Sequence, residues 1–87
     1  MGNTEFMEKC KMEVCKYHND NANEDDYISM EDVFIVWMVK VLQNNKALAA
    51  TNKEDNRYYE ITYNGDKKEM YVDAYKKEEN KLVKIEE

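Results

Sequence analysis

The side chains with the clearest capacity for chemistry are carboxylates, and they are concentrated between positions 20 and 32. No lysine or arginine interrupts this acidic stretch, whose members are Asp20, Glu24, Asp25, Asp26, Glu31 and Asp32. Clustered carboxylates can attract a basic protein surface or a metal cation. Acid–base catalysis needs carboxyl groups whose pKa values are separated by burial, and a polar surface stretch does not provide that. The acidic stretch therefore predicts a binding surface and not a catalytic centre.

Part of this stretch resembles the calcium-binding loop of an EF-hand. Aligned as such a loop, it would take its ligands from Asn21, Asn23, Asp25, the Tyr27 carbonyl, Ser29 and Asp32. The alignment departs from the EF-hand pattern at three positions: Asn21 replaces the opening Asp, Asp26 the central Gly, and Asp32 the closing Glu. Because such a loop would bind calcium weakly, we favour a solvated linker and assign no metal ligand.

The remaining reactive residue types are few and form no recognisable catalytic arrangement. Cys10 and Cys15 are five residues apart, which fits neither a Cys-x-x-Cys motif nor a zinc framework. His18 is the only histidine, and with Gly2 and Gly65 as the only glycines no phosphate-binding loop can form. We therefore expect a protein that is not an enzyme and carries no cofactor.

Length and charge limit the class of protein and its partners. The 87 residues predict one domain, 1–87, with a small core, and 19 acidic against 13 basic side chains give a net charge of −6. Residues 1–32 hold nine acids and three lysines, whereas residues 33–87 hold ten of each. This balance disfavours nucleic acid and anionic membrane as direct partners. Reduced cysteines and the lack of a signal peptide predict a cytoplasmic location.

Two helices are predicted in the first half of the chain. The first spans about residues 4–18. Its apolar stripe consists of Phe6, Cys10, Val14 and Tyr17. The second spans about residues 30–44 and contains the almost entirely apolar run Val33–Leu42. Its β-branched residues favour a strand, but the N-cap signal at Ser29 and the length of the segment favour a helix, which we expect to be buried.

The second half changes to a period of two, which is typical of β-strands. We predict strands at about residues 46–51, 57–63 and 68–76. The first of these, rich in alanine, remains open between strand and helix, and we take it as a strand because two strands alone would be marginally stable. The predicted fold class is α+β, with two N-terminal helices followed by a three-stranded antiparallel β-meander.

A tight hairpin is predicted between the last two strands, at Asn64–Lys67. The preferred register, centred on Gly65-Asp66, forms the apolar pairs Ile61–Met70 and Tyr59–Val72. The other register, centred on Asn64-Gly65, would place two acids opposite each other, Glu60 and Glu69. Like charges facing each other across a ladder are unfavourable, which decides the preference.

Tyrosines on the predicted strands form a second candidate binding surface. By alternation, one sheet face carries Tyr58, Glu60, Tyr71, Asp73 and Tyr75. An exposed face of tyrosines and acids is typical of protein interfaces. Tyrosines are also simply favoured in strands, and the sequence does not decide between the two interpretations.

Four segments of the chain are similar to a family of short uncharacterised proteins from phages and prophages of low-GC Gram-positive bacteria. The similar segments, within about residues 30–80, are Val36–Trp37, Lys40–Leu48, Tyr58–Lys67 and Tyr71–Lys77. The resemblance implies a small accessory protein acting in the host cytoplasm. It supplies no catalytic residues. Many proteins of that kind bind and block a host factor, frequently one belonging to a defence system.

The leading functional hypothesis is therefore a non-enzymatic protein that binds and inhibits a host protein, such as a nucleic-acid-binding defence component. Its acidic surface would imitate nucleic acid. The candidate partner-binding residues are Asp20, Glu24, Asp25, Asp26, Tyr58, Glu60, Tyr71, Asp73 and Tyr75. The alternative is a protein that binds calcium weakly, or a nucleotide-like signal stacked on its tyrosines. We also expect a homodimer, because residues 33–42 carry more apolar surface than the rest of one chain can bury.

Overall fold

A computed structural model describes residues 1–86. Helix α1 spans Asn3–Asp20 and is followed by two single 3-10 turns, Glu24–Asp26 and Met30–Asp32. Four strands complete the fold: β1, Val33–Val41; β2, Asn44–Thr51; β3, Arg57–Asn64; and β4, Glu69–Lys76. They form one antiparallel sheet in the order β1-β2-β3-β4, and α1 packs on one face of it. Residues 77–86 have no regular secondary structure.

Helix α1 follows the predicted apolar stripe. Phe6, Cys10 and Val14 are fully buried against the sheet, and His18 continues the spacing of four as a buried polar residue. Tyr17, predicted in the stripe, is partly exposed and meets Tyr59 edge-on, with the ring centroids 5.8 Å apart. Burial raises the pKa of the Cys10 thiol to about 12, so this residue remains a protonated core side chain.

The predicted second helix is wrong, because the apolar run forms strand β1. The capping box of Ser29 and Asp32 is present, but it starts only the single turn Met30–Asp32, after which the chain becomes extended. The β-branched residues of Val33–Val41 suit a strand, and pairing with β2 supplies their backbone with partners. The fold is thus one helix and a four-stranded sheet, not two helices and a three-stranded meander.

Strand β2 contains residues 46–51, for which the sequence left helix and strand open. Its side chains alternate between the two faces of the sheet, and Ala47 and Ala49 are fully buried beneath α1. Small side chains at these positions let the helix approach the sheet closely. A two-residue turn joins β1 to β2, and Leu42 adopts a positive φ of 55° there.

The β3–β4 hairpin has neither of the two predicted registers. Ile61 pairs with Val72, and a four-residue loop, 65–68, separates the strands. Asn64 explains the wider loop, because its Oδ1 accepts hydrogen bonds from the backbone N–H groups of Asp66 and Lys67 at 3.1 and 3.2 Å. Gly65 is required at the start of the loop, since a Cβ there would lie 2.1 Å from a neighbouring carbonyl oxygen.

The core occupies the layer between α1 and the sheet, where Tyr59 and Ile61 are fully buried. No helix or strand within residues 1–86 covers the other face of the sheet. The molecule is correspondingly flat, with extents of 44 × 43 × 19 Å. Among the described residues, α1 is the one long helix, and it is too polar to cross a membrane.

Candidate interaction surface

The sheet face turned away from α1, called here the outer face, carries an unusual number of large exposed side chains. Its members follow from the strand registers. One cross-strand row runs Trp37, Leu48, Glu60, Asp73 over the four strands, and the next runs Val39, Lys46, Thr62, Tyr71. Each row passes from apolar residues on β1 to polar or aromatic residues on β4. The outer face is therefore divided into two halves of different chemistry.

The apolar half consists of Phe34, Val36, Trp37, Val39 and Val41 of β1, with Leu48 of β2. A β-bulge between Ile35 and Trp37 places two residues, Val36 and Trp37, opposite Leu48, so that both point outward. Phe34 is 50% exposed, Trp37 45% and Val41 61%. Lys40, the single charged residue of β1, lies on the helix side and donates a hydrogen bond to the Met1 carbonyl oxygen at 2.7 Å. The apolar half contains no charge.

The tyrosine–acid half consists of Tyr58, Glu60, Tyr71, Asp73 and Tyr75 on β3 and β4, as the sequence predicted for this face. The rings of Tyr58 and Tyr75 stack with their centroids 5.1 Å apart and an interplanar angle of 14°. Tyr71 donates its hydroxyl proton to Glu69 at 3.1 Å, and this hydrogen bond raises the pKa of Tyr71. Lys46 neutralises Glu60 through a salt bridge of 3.0 Å.

The loop acids Asp20, Glu24, Asp25 and Asp26 are not brought together with the tyrosine–acid half. Asp20 ends α1, and the other three form the first 3-10 turn. The segment that contains this turn is held against α1, because the Asn19 side chain forms two hydrogen bonds with the backbone of Ile28, which follows the turn, at 2.9 and 3.0 Å. The nine predicted partner-binding residues therefore form two separate surfaces, one on the outer face and one at the C-terminal end of α1.

The loop compared with an EF-hand has a different structural context. A strand follows it where an EF-hand has its second helix. The Asp32 carboxylate accepts hydrogen bonds from the Ser29 backbone N–H at 2.9 Å and from Asn52 at 2.8 Å. These bonds, led by the one from Ser29, lower the pKa of Asp32. Within residues 1–86 no three His, Cys, Asp or Glu side chains are grouped to hold a metal ion.

A polar cleft of about 410 Å³ lies beside the end of α1 and contains residues that the sequence analysis did not select. His18 is buried there; its Nε2 lies 2.8 Å from the Asp26 carbonyl oxygen and its Nδ1 lies 3.5 Å from Asp55 Oδ2. The guanidinium group of Arg57, at the start of β3, lies over the Tyr17 ring. Lys53, Glu54 and Lys76 also line the cleft, which therefore carries charges of both signs.

One sequence signal could have identified His18, because it continues the spacing of four formed by Phe6, Cys10 and Val14 and so belongs to the buried stripe. No local sequence pattern indicates that His18 lies close to Asp55. The two residues are distant in the sequence and meet only because the β2–β3 loop folds back against the end of α1.

The fold defines a small α+β protein with one helix on a four-stranded sheet, whose other face is left uncovered by the described helices and strands. The chain belongs to a family of unknown function, DUF6275, which matches residues 7–85. This confirms the expected membership of an uncharacterised family, while the match indicates neither a phage source nor a bacterial host. Searches of curated proteins and of solved structures found no match.

Proposed function

We propose that this protein is a non-enzymatic interaction domain that binds a partner protein through the tyrosine–acid half of its outer face. The observation that carries the proposal is the exposed stacked pair of Tyr58 and Tyr75 beside Tyr71 and Asp73. Rigid tyrosines lose little conformational entropy on binding and are enriched among the residues that dominate interface energies. Stacking holds this pair in place before a partner arrives.

The charges of this half specify the chemistry of the partner. Glu60 forms a salt bridge with Lys46, and Glu69 accepts a hydrogen bond from the Tyr71 hydroxyl. Asp73 forms no ion pair within residues 1–86 and is available to a cation of the partner. Arginine suits both features, because its guanidinium can pair with a carboxylate and lie on an aromatic ring. The partner surface is therefore basic, and its binding weakens as salt rises.

The resemblance to phage and prophage proteins supports a narrower version of this proposal. The partner would be a bacterial host protein, such as a nucleic-acid-binding component of a defence system, and binding in the host cytoplasm would inhibit it. The acidic turn Glu24–Asp26, together with Asp20, would provide a second contact with the surface that such a partner uses for nucleic acid. This version requires both surfaces, whereas the general proposal requires only the tyrosine–acid half.

A comparison of two variants tests the site. The double variant Asp73→Asn with Tyr75→Ala removes the free carboxylate and one ring of the stacked pair. The loop variant Glu24→Gln with Asp25→Asn and Asp26→Asn removes three negative charges from the other surface, against one in the double variant. We expect a partner captured from host lysate at low salt to be lost with the double variant and retained, although weakened, with the loop variant. Retention by the double variant and loss by the loop variant would refute the proposed site.

A second candidate function is the binding of a nucleotide-like anion, and a cleft of about 590 Å³ beside Tyr58 favours it. Lys53, Arg57 and Lys77 line this cleft, so three cations adjoin an aromatic ring in an otherwise acidic protein. A base could stack on Tyr58 while its phosphates contact the cations. Titration calorimetry with a set of nucleoside phosphates tests this, and binding should disappear in Lys53→Gln with Lys77→Gln. No heat of binding at millimolar nucleotide would eliminate this function.

A further inference from the structure

The apolar half of the outer face lacks cover within its own chain. Its five β1 residues are about half exposed, and among residues 1–86 no helix or strand packs on them. β1 is also an edge strand, paired with β2 on one side. Monomeric proteins rarely leave a long apolar strand open in this way, because it invites association.

The chemistry of the apolar half identifies its occupant. A patch without charge has no need of a complementary charge on the other surface, and two identical apolar patches match each other. Lys40, which would oppose self-association, is turned to the helix side and bound to the Met1 carbonyl oxygen. The nearest outward cation, Lys46, is already paired with Glu60. A second copy of this chain therefore fits the patch without leaving a buried charge unpaired.

The exposed area agrees with a weak dimer. A fully buried aromatic side chain hides about 150–250 Å², so the exposed halves of Phe34 and Trp37 amount to about 200 Å². The exposed halves of Val36, Val39 and Val41 add about the same area. With Leu48 included, two copies would bury about 800–1,000 Å² in total, which is less than the about 1,200 Å² of a standard stable interface and falls in the range of weak, transient contacts. Such a dimer should dissociate at micromolar concentration.

We propose that two copies pack their apolar halves face to face around a two-fold axis parallel to the strands, with β1 of one copy over β2 of the other. An axis perpendicular to the strands would stack Glu60 and Asp73 on their own copies, which like-charge repulsion opposes. In the proposed arrangement β3 and β4 extend beyond the partner copy. The tyrosine–acid half stays exposed, so the dimer is independent of the function proposed above.

Trp37 provides a direct reporter, because it is the only tryptophan and lies in the middle of the proposed interface. Its fluorescence is measured from nanomolar to high micromolar protein, alongside the mass from sedimentation or light scattering. We expect the mass to rise from 10.4 kDa toward twice that value and the Trp37 emission to shift to shorter wavelength over the same concentrations.

Two variants of matched exposure locate the interface. Phe34→Glu places a charge in the apolar half, where Phe34 is 50% exposed, and Met12→Glu places one on α1, where Met12 is also 50% exposed. We expect Phe34→Glu to raise the dimer dissociation constant about tenfold or more, because its cross-strand neighbour is Ala50 and burying an unpaired carboxylate is costly. Met12→Glu should leave the constant unchanged. Circular dichroism verifies that both variants fold.

Three results would overturn the dimer. The first is a mass of 10.4 kDa at every concentration. The second is a dimer that Met12→Glu disrupts and Phe34→Glu does not, which would place the contact on the helix layer. The third is a short-wavelength Trp37 emission in a monomer, which would mean that the chain itself, through residues 77–86, covers the apolar half. None of these results bears on partner capture by the tyrosine–acid half.

Discussion

Asn45 offers the sharpest test of the packing between α1 and the sheet. It is 2% exposed on the helix side of β2, and neither its Nδ2 nor its Oδ1 has a hydrogen-bond partner among the described residues. Lys40 and Tyr63 flank it on the adjacent strands. A buried amide without partners loses its hydration and regains nothing, so its replacement by valine should stabilise the fold.

The magnitude follows from the cost of burying one unpaired amide side chain. Mutational data place the cost of a buried, unsatisfied polar group at about 1–3 kcal/mol. Valine has a similar size, gains burial and is favoured in strands, so Asn45→Val should raise the free energy of unfolding by about 1–3 kcal/mol. In a domain of this length each kcal/mol moves the Tm by about 4–8 °C.

The adjacent residue supplies a control of opposite sign. Asn44 is exposed, and its Oδ1 accepts a hydrogen bond from the Gly65 backbone N–H at 3.0 Å. Asn44→Val removes that hydrogen bond, which joins the β1–β2 turn to the β3–β4 loop, and should lower the free energy of unfolding by about 0.5–1.5 kcal/mol. Urea denaturation followed by circular dichroism, with both variants and the parent at one protein concentration, measures the two differences. The concentration is held constant because the proposed dimer would contribute to apparent stability.

The reasoning fails if Asn45→Val destabilises the protein. Loss of stability would mean that the Asn45 amide is hydrogen-bonded in the folded protein and contributes to it. It also fails if both variants shift in the same direction by similar amounts, because a common shift would reflect strand propensity and not the environments of the two side chains.

Three further predictions concern other parts of the fold. Tyr59→Phe should preserve or raise the Tm, because no group within residues 1–86 forms a hydrogen bond of full geometry with the buried Tyr59 hydroxyl. Burial raises the pKa of Tyr59, and the nearby Arg57 side chain opposes that rise only in part; a Tm lowered by several degrees would show that Arg57 bonds the hydroxyl. The pKa of Asp32 is lowered in the folded protein, so the ionised carboxylate stabilises the fold above its ordinary pKa, and this stabilisation is lost as the pH falls through the folded-state pKa. The difference in unfolding free energy between the parent and Asp32→Asn should therefore shrink in acid. Denaturation at neutral and acidic pH measures that difference. Trp37→Ala should lower the free energy of unfolding by less than the about 3–5 kcal/mol expected for a buried tryptophan, since Trp37 is 45% exposed in one chain. The same variant should abolish the concentration dependence of the mass.

Local patterns in the sequence determined two features of this protein. The spacing of four in Phe6, Cys10 and Val14 determines which side of α1 is buried, because a helix returns the same face about every four residues. Alternation places Tyr58, Glu60, Tyr71, Asp73 and Tyr75 on one face of the sheet, because the side-chain period of a strand is two. Both features depend only on the backbone geometry of a single element.

Tertiary structure alone decided the rest. The run Val33–Val41 has no polar residues at regular spacing, so its sequence carries no period from which helix and strand could be distinguished; pairing with β2 makes it a strand and places Trp37 on the surface. The contact of His18 with Asp55, and the separation of the loop acids from the tyrosines, depend on how distant segments meet, which no local pattern encodes.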